Sequence, residues 1–145
     1  MSEQIFVIMG IPKSQPRNRH RMVKTKAGKV FTMNYEPEEA AMAKENTRAQ
    51  IVNQLPTFIP RNVPIICNIE AYLPRPKNHY RSNGEVKSAA PRFCTSKPDK
   101  DNLEKAIYDA MTGVVWMDDC QVVDGRLVKF YGDVPKVVVK VREAL

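Results

Sequence analysis

Four aspartates crowd two short stretches of the chain. One runs Lys97-Pro98-Asp99-Lys100-Asp101-Asn102-Leu103-Glu104-Lys105-Ala106-Ile107-Tyr108-Asp109-Ala110, the other Trp116-Met117-Asp118-Asp119-Cys120-Gln121-Val122. Asp99 and Asp101 stand two apart in what reads as an extended approach to a helix, and side chains at i and i+2 of extended chain share a face. Asp118 and Asp119 fall in the turn after a short apolar run. If helix and turn fold back together, three or four carboxylates meet. Hard oxygen donors with an open side suit Mg²⁺, which keeps several of its waters. A divalent ion held there polarises a phosphate, lowers the pKa of bound water and neutralises charge on the leaving oxygen, which is the chemistry of phosphodiester hydrolysis. Lys105 lies four residues beyond Asp101, on the same helix face, where it can stabilise charge on a phosphoryl group.

Ordinary structure accounts for the same residues in another way. Asp101 with Glu104 has the spacing of a helix N-terminal capping box, with Asp101 as the cap. Asp101, Lys105 and Asp109 make an i,i+4 charged stripe. Asp118-Asp119 also suits a polar turn. The two accounts are compatible, since a cap can orient a ligand.

The elements that must position these residues are legible from periodicity. Gln4 to Ile11 reads as a buried first strand, ended by Pro12. Lys13 to Lys29 then carries seven bases, His20 and no acid. Ala27-Gly28 marks a turn between Arg21–Lys26 and Lys29–Met33, so this basic stretch reads as a hairpin. Pro37, Glu38 and Glu39 open a helix running to about Gln54, with the acids at the favourable end of its dipole. This first helix reads as structural. Val63 to Leu73 is a second apolar strand, stopped by Pro74 and Pro76. Pro74 to Pro98 is a second basic loop, with six bases against Glu85 and a turn at Ser82-Asn83-Gly84. Leu103, Ala106, Ile107, Ala110 and Met111 fall on one face of a helix that ends at Gly113. Val122 to Phe130 and Lys136 to Val141 read as a closing pair of strands with a turn at Gly132-Asp133.

With 145 residues, no internal repeat and no linker, the chain reads as a single domain of the α/β (α+β) class, a small mixed sheet with two main helices. Residues 99–124 hold seven acids and two bases, and the remainder holds 21 bases and nine acids. A basic body around one acidic pocket suits a polyanion processed at a metal centre. The cations expected to meet phosphate are Lys13, Arg17, Arg19, Arg21 and Lys24 from the first basic stretch, and Arg75, Lys77 and Lys97 from the second. Cys67, Cys94 and Cys120 are odd in number and form no CxxC pair, which argues against a disulfide framework or a zinc ribbon. No apolar run approaches the roughly 18 residues of a membrane span, and the N-terminus lacks the pattern of a signal peptide, so a cytoplasmic location is expected.

The string Asp99-x-Asp101-Asn102-Leu103-x-Lys105-Ala106, then Asp109-Ala110, then Trp116-x-Asp118-Asp119-x-Gln121-Val122-Val123, resembles the core motif of RusA-type Holliday junction resolvases. The match is dense over residues 98–129, while over the first 75 residues only the order of elements agrees. The resemblance implies a small α/β fold, a homodimer, and Mg²⁺-dependent nicking of two strands at a four-way DNA junction, with Mn²⁺ as a substitute ion. It implies that Asp99, Asp101 and Asp119 are catalytic aspartates and that Lys105 is the family's important lysine; Asp118, beside Asp119, is counted with the metal-binding carboxylates and either assists Asp119 or merely neighbours it. Asn102 and Gln121 fall within the motif in supporting roles. The stretch between Leu73 and Asp99 is longer than in the compact family version, which bears on DNA contacts and substrate selectivity.

Overall fold

A computed structural model describes residues 2–14 and 19–145. Seven strands and two helices follow one another: β1 (Gln4–Met9), β2 (Arg19–Lys24), β3 (Val30–Tyr35), α1 (Glu38–Asn53), β4 (Ile65–Leu73), α2 (Lys100–Met111), β5 (Val122–Asp124), β6 (Leu127–Tyr131) and β7 (Lys136–Glu143). The expected class, mixed α/β with two helices, is the class observed.

The main sheet runs β1-β7-β4, with β5 and β6 both on the far side of β4. β7 lies antiparallel to β1 and β4, whereas β5 and β6 run parallel to β4. The two closing strands are therefore not neighbours, which corrects the expectation of an adjacent pair. β4 sits between them, and its alternation buries Ile65, Cys67, Ile69, Ala71 and Leu73 on one face. The expected single strand Val122–Phe130 is also divided. Gly125, at φ +136°, lies against the Cys67 backbone between the two halves, and the pairing register shifts within the first, where Ile65 meets Val122 but Ile66 meets Asp124.

Both helices lie on one face of this sheet. Ile51 of α1 and Leu103, Ile107 and Met111 of α2 join Phe6, Ile8, Val137, Val139, Val141 and the inward residues of β4 in one core. Burial raises the thiol of Cys67, within that core, to about 12. Among the described residues, no helix lies on the opposite face of the sheet.

α1 has no clean apolar stripe, and polar side chains do much of its packing. Gln54 accepts from the Val7 amide (2.9 Å) and donates to the Val7 carbonyl (2.7 Å), and Gln50 does the same at Met9 (2.8 and 3.1 Å). Four residues of helix rise about 6.0 Å and two residues of strand about 6.7 Å, so an i,i+4 glutamine pair can match alternate groups along β1. The free edge of the sheet is thereby closed. At the other end of the sheet, residues 92–94 run along β6, with the Cys94 amide on the Lys129 carbonyl (3.0 Å) and the Tyr131 amide on the Arg92 carbonyl (2.9 Å).

The basic hairpin expected from the sequence is β2-β3, joined through Gly28 at φ +83°. His20 and Asn34, register partners, bond through their side chains. Met22, Val30 and Phe31 are exposed, so the hairpin stands off the core.

A β-carbon at position 125 would lie 1.8 Å from the Cys67 carbonyl oxygen, whereas at Gly28 it meets nothing within 4 Å. Gly125→Ala is expected to cost about 3 kcal/mol or more, from strain plus the clash. Gly28→Ala should cost only about 1 to 2 kcal/mol, the left-handed penalty alone. Urea midpoints of the two variants check the ordering.

Candidate active site

α2 forms because Leu103, Ile107, Ala110 and Met111 recur at helical spacing and all bury against the sheet. It begins two residues earlier than a cap at Asp101 requires. Asp99 holds the N-cap position (φ −69°, ψ 145°), its carbonyl accepting from the Leu103 amide (3.1 Å), but its carboxylate makes no capping bond. Asp101 sits in the first turn, where one carboxylate oxygen accepts from the Asn102 amide (3.0 Å). The Asp101–Glu104 capping box is thus not formed, and Glu104 lies 3.9 Å from Lys100 instead. Both aspartates are exposed, with their remaining lone pairs facing water. Asp99 lines a small recess with Ser14, Lys97, Pro98 and Asn102.

The far end of α2 is fixed from α1. Arg48 donates to the carbonyls of Asp109, Ala110 and Thr112 (3.1, 3.1 and 3.3 Å), groups a helix C-terminus leaves unpaired. Lys44 adds an ion pair to Asp109 at 3.3 Å. Gly113, at φ +85°, then reverses the chain, and its amide donates to the Trp116 carbonyl (2.7 Å). Trp116 is 0% exposed. Its indole N–H reaches the Thr112 hydroxyl (3.1 Å), and its ring meets Tyr108 edge-on at 5.8 Å. The helix and the aspartate turn therefore do fold back toward each other.

The turn itself is held by Gln121, the only buried polar side chain among the described residues, at 6% exposure. Its amide oxygen accepts from the Met117 and Asp118 amides (3.1 and 2.9 Å), and its nitrogen donates to the carbonyls of Pro60 and Val63 (2.8 and 3.1 Å). Every bond a glutamine amide can make is made. Asp118 caps the short 3-10 turn Asp119–Gln121 by accepting from the Cys120 amide (3.1 Å). With the Gln121 bond to the Asp118 amide, this completes a capping box in the second acidic stretch, not the first.

The two adjoining carboxylates are driven apart electrostatically. Hydrogen bonds from Cys120 hold Asp118 below the usual carboxylate value. Partial burial raises Asp119, reinforced by a hydrogen bond and charge from Asp118 and by the charge of Asp109. The Tyr108 phenol is pushed up chiefly by burial, then by the charges of Cys67 and Glu104, a hydrogen bond to Glu104, and the charge of Asp119. The charge of Asp119 is thus felt at Tyr108, and that of Asp109 at Asp119.

Among the described residues, no three His, Cys, Asp or Glu side chains lie close enough to hold a metal ion. The expectation that three or four carboxylates meet is corrected on this point. Asp99 and Asp101 were expected to share a face of extended chain, but the helix begins between them, and each helical residue turns the chain by about 100°. Lys105 is exposed on α2, one turn beyond Asp101.

The expected phosphate contacts fall in different places. Arg21 and Lys24 are exposed on β2, and Lys13 lines a groove of about 620 Å³ between the end of β1, α1 and α2. Lys77 and Lys97 are exposed on the loop before α2. Arg19 lies in β2, and Arg17 falls outside the described residues. Arg75 is half-buried, donating to the Pro91 carbonyl (2.9 Å) with its guanidinium over Tyr131. Sequence reasoning passed over a row of aromatic rings, Tyr72, Phe130 and Phe93, on the helix-free face of the sheet. Their outward positions in the strand alternation were the available signal.

A sequence model of the family described as endodeoxyribonuclease RusA matches residues 10–142. The chain is also similar to the uncharacterized protein YqaN of Bacillus subtilis (strain 168), at 31% identity over 140 residues, covering 95% of this chain and 94% of that protein.

Gln121→Leu strands two amides and two carbonyls that the amide now satisfies. It is expected to cost about 2 to 4 kcal/mol, read by thermal or urea unfolding. Because the Asp118-Asp119 turn loses its anchor, the amides of Met117 and Asp118 should also lose hydrogen-exchange protection.

Proposed function

Because the chain belongs to the RusA endodeoxyribonuclease family, we propose that it is a Mg²⁺-dependent endonuclease that resolves four-way DNA junctions by paired, symmetric nicks, working as a homodimer in the cytoplasm. The observation that carries this reading is the fold-back of the chain, through Gly113 and Trp116, that brings the Asp118-Asp119 turn toward the helix with Asp99 at its N-cap, within a chain that is otherwise basic.

Each carboxylate supplies the hard oxygen a divalent cation prefers, and, since no three of them converge among the described residues, a bound ion would have to draw the two acidic stretches together. Asp99 and Asp101 are exposed carboxylates that spend at most one lone pair on the backbone. Asp119 sits in negative potential that a cation relieves. In this reading Asp99, Asp101, Asp118 and Asp119 would hold Mg²⁺, or Mn²⁺, which prefers the same oxygen donors. An ion bound there would supply polarisation of the scissile phosphate and a lowered pKa for the attacking water. Lys105, one turn above Asp101, faces the same solvent and stabilises the charge that develops on the phosphoryl oxygens. Lys13, Arg21 and Lys24 on one side, and Lys77 and Lys97 on the other, hold the phosphate backbone. A two-fold dimer matches the two equivalent strands of a junction.

Cleavage of a mobile four-way junction, a flap and a plain duplex, each with Mg²⁺ or EDTA, tests the reading. Asp101→Asn and Asp119→Asn should each lower junction cleavage by roughly 100-fold or more. Junction binding should stay intact or tighten, since each change removes a negative charge facing a polyanion. Affinity should also fall steeply with added salt as Lys and Arg contacts release counterions. Cutting confined to flaps would reassign the substrate. A folded protein that cuts nothing would reduce the chain to a DNA-binding module.

A further inference from the structure

With β1 covered by Gln50 and Gln54 and β6 by residues 92–94, the free surface of the main sheet is its helix-free face. One row across that face is unlike the rest. Register pairs Lys136 with Tyr72, Tyr72 with Phe130, and Phe130 with Phe93, so four side chains on four neighbouring segments line up. Tyr72 and Phe130 stack at 5.4 Å and 24°, and Phe130 and Phe93 at 5.5 Å and 26°. The Lys136 ammonium lies 5.4 Å from the Tyr72 ring at one end. The Arg92 guanidinium lies 5.1 Å from Phe130 and 5.4 Å from Phe93 at the other.

Cross-strand aromatic pairs stabilise sheets, and Tyr72 with Phe130 would satisfy that role. Phe93 goes beyond it. It extends the stack on the segment outside β6 and is 52% exposed. The surrounding charge is positive. Lys136, Lys140, Arg142 and Arg92 share this side with Glu70, which is occupied by the Tyr72 hydroxyl (2.6 Å) and Lys140 (3.8 Å).

We propose that this row is a binding site for unpaired nucleotides, with a base stacking on Phe93 and the flanking cations taking the adjoining phosphates. Ring faces are useful only to bases that have left the helical stack, because a duplex shows a protein its grooves and phosphates. The occupant is therefore a short unpaired stretch of the DNA strand, such as a branch point exposes. The proposal rests on the nuclease reading for its biological setting, and the placement agrees. Phe93 and Asp99 are six residues apart, a span of at most about 20 Å. The connecting segment is tied to β6 by the Lys129 ammonium on the Ser96 carbonyl (2.6 Å).

The test is a titration of the full chain, in EDTA, with a fluorescently labelled 15-nucleotide oligothymidylate and with a 15-base-pair blunt duplex. A single 2-aminopurine in an otherwise identical strand reports stacking. Phe93→Ala should weaken single-strand binding by roughly 5- to 100-fold, change duplex binding less than twofold, and abolish the 2-aminopurine quenching. Phe93→Trp should restore all three, and its melting temperature, beside that of Phe93→Ala, guards against misfolding. Equal losses on both nucleic acids would overturn the proposal, as would unchanged single-strand binding. It would also be overturned if Phe93→Ala shifted the sedimentation coefficient, since the face would then join two copies of the chain. Because the titration needs no metal, its outcome separates from cleavage. Stacking without cleavage would sink the nuclease reading alone, and cleavage without stacking would sink this one alone.

Discussion

The acidic end of this molecule depends on the hydrogen bonds of Gln121. A buried glutamine with even one unmet group destabilises a fold, but here two donors and two acceptors are all used. The bonds join three separate pieces of chain: residues 117–118, residue 60 and residue 63. Without them the Asp118-Asp119 turn would be a loop of adjacent like charges with nothing to fix its direction. With them, Asp118 becomes a cap and the charge of Asp119 is felt at Tyr108 of α2. Arg48 plays the complementary part at the other end of the turn, holding the last carbonyls of α2 from α1. The site is thus held by polar contacts at the rim of an apolar core.

Much of the fold was legible in the sequence because most elements announce themselves locally. The alternation of Ile65 to Leu73, the helical spacing of Leu103 to Met111, and Gly28 between two basic segments each name their element. What was not legible is non-local. Nothing in Val122 to Phe130 says that it pairs with β4 and not with β7; the central place of β4 follows from all the strands together. The break at Gly125 is set by a carbonyl on β4, far away in sequence. α1 was readable as a helix but not in its packing, because glutamine, arginine and lysine make contacts that hydrophobic periodicity does not see.

The site was legible in identity and less so in geometry. The aspartates and their spacing pick out the two acidic stretches, and the reversal at Gly113 brings those stretches toward each other. The face that Asp99 and Asp101 were expected to share depended on where α2 begins, a matter of two residues. Extended chain aligns positions two apart, and helix turns them away from each other. The capping box was likewise expected in the wrong acidic stretch. Asp101–Glu104 has the spacing, but Asp118 and Gln121 have the backbone to use it.

The glutamine pair on α1 has a wider consequence. Gln50 and Gln54 behave as a short surrogate strand, offering β1 the amide groups that a neighbouring backbone would. Strand-to-strand growth of the sheet is blocked at Val7 and Met9, where an incoming chain would find each donor and acceptor already taken. The device is also phase-sensitive. Inserting one residue into α1 ahead of Gln50 would rotate both amides about 100° around the helix axis and uncover the edge at a stroke. Length in this helix is therefore constrained more tightly than its exposed, unstriped surface suggests, and tolerance to insertion should lie in the loops that flank it.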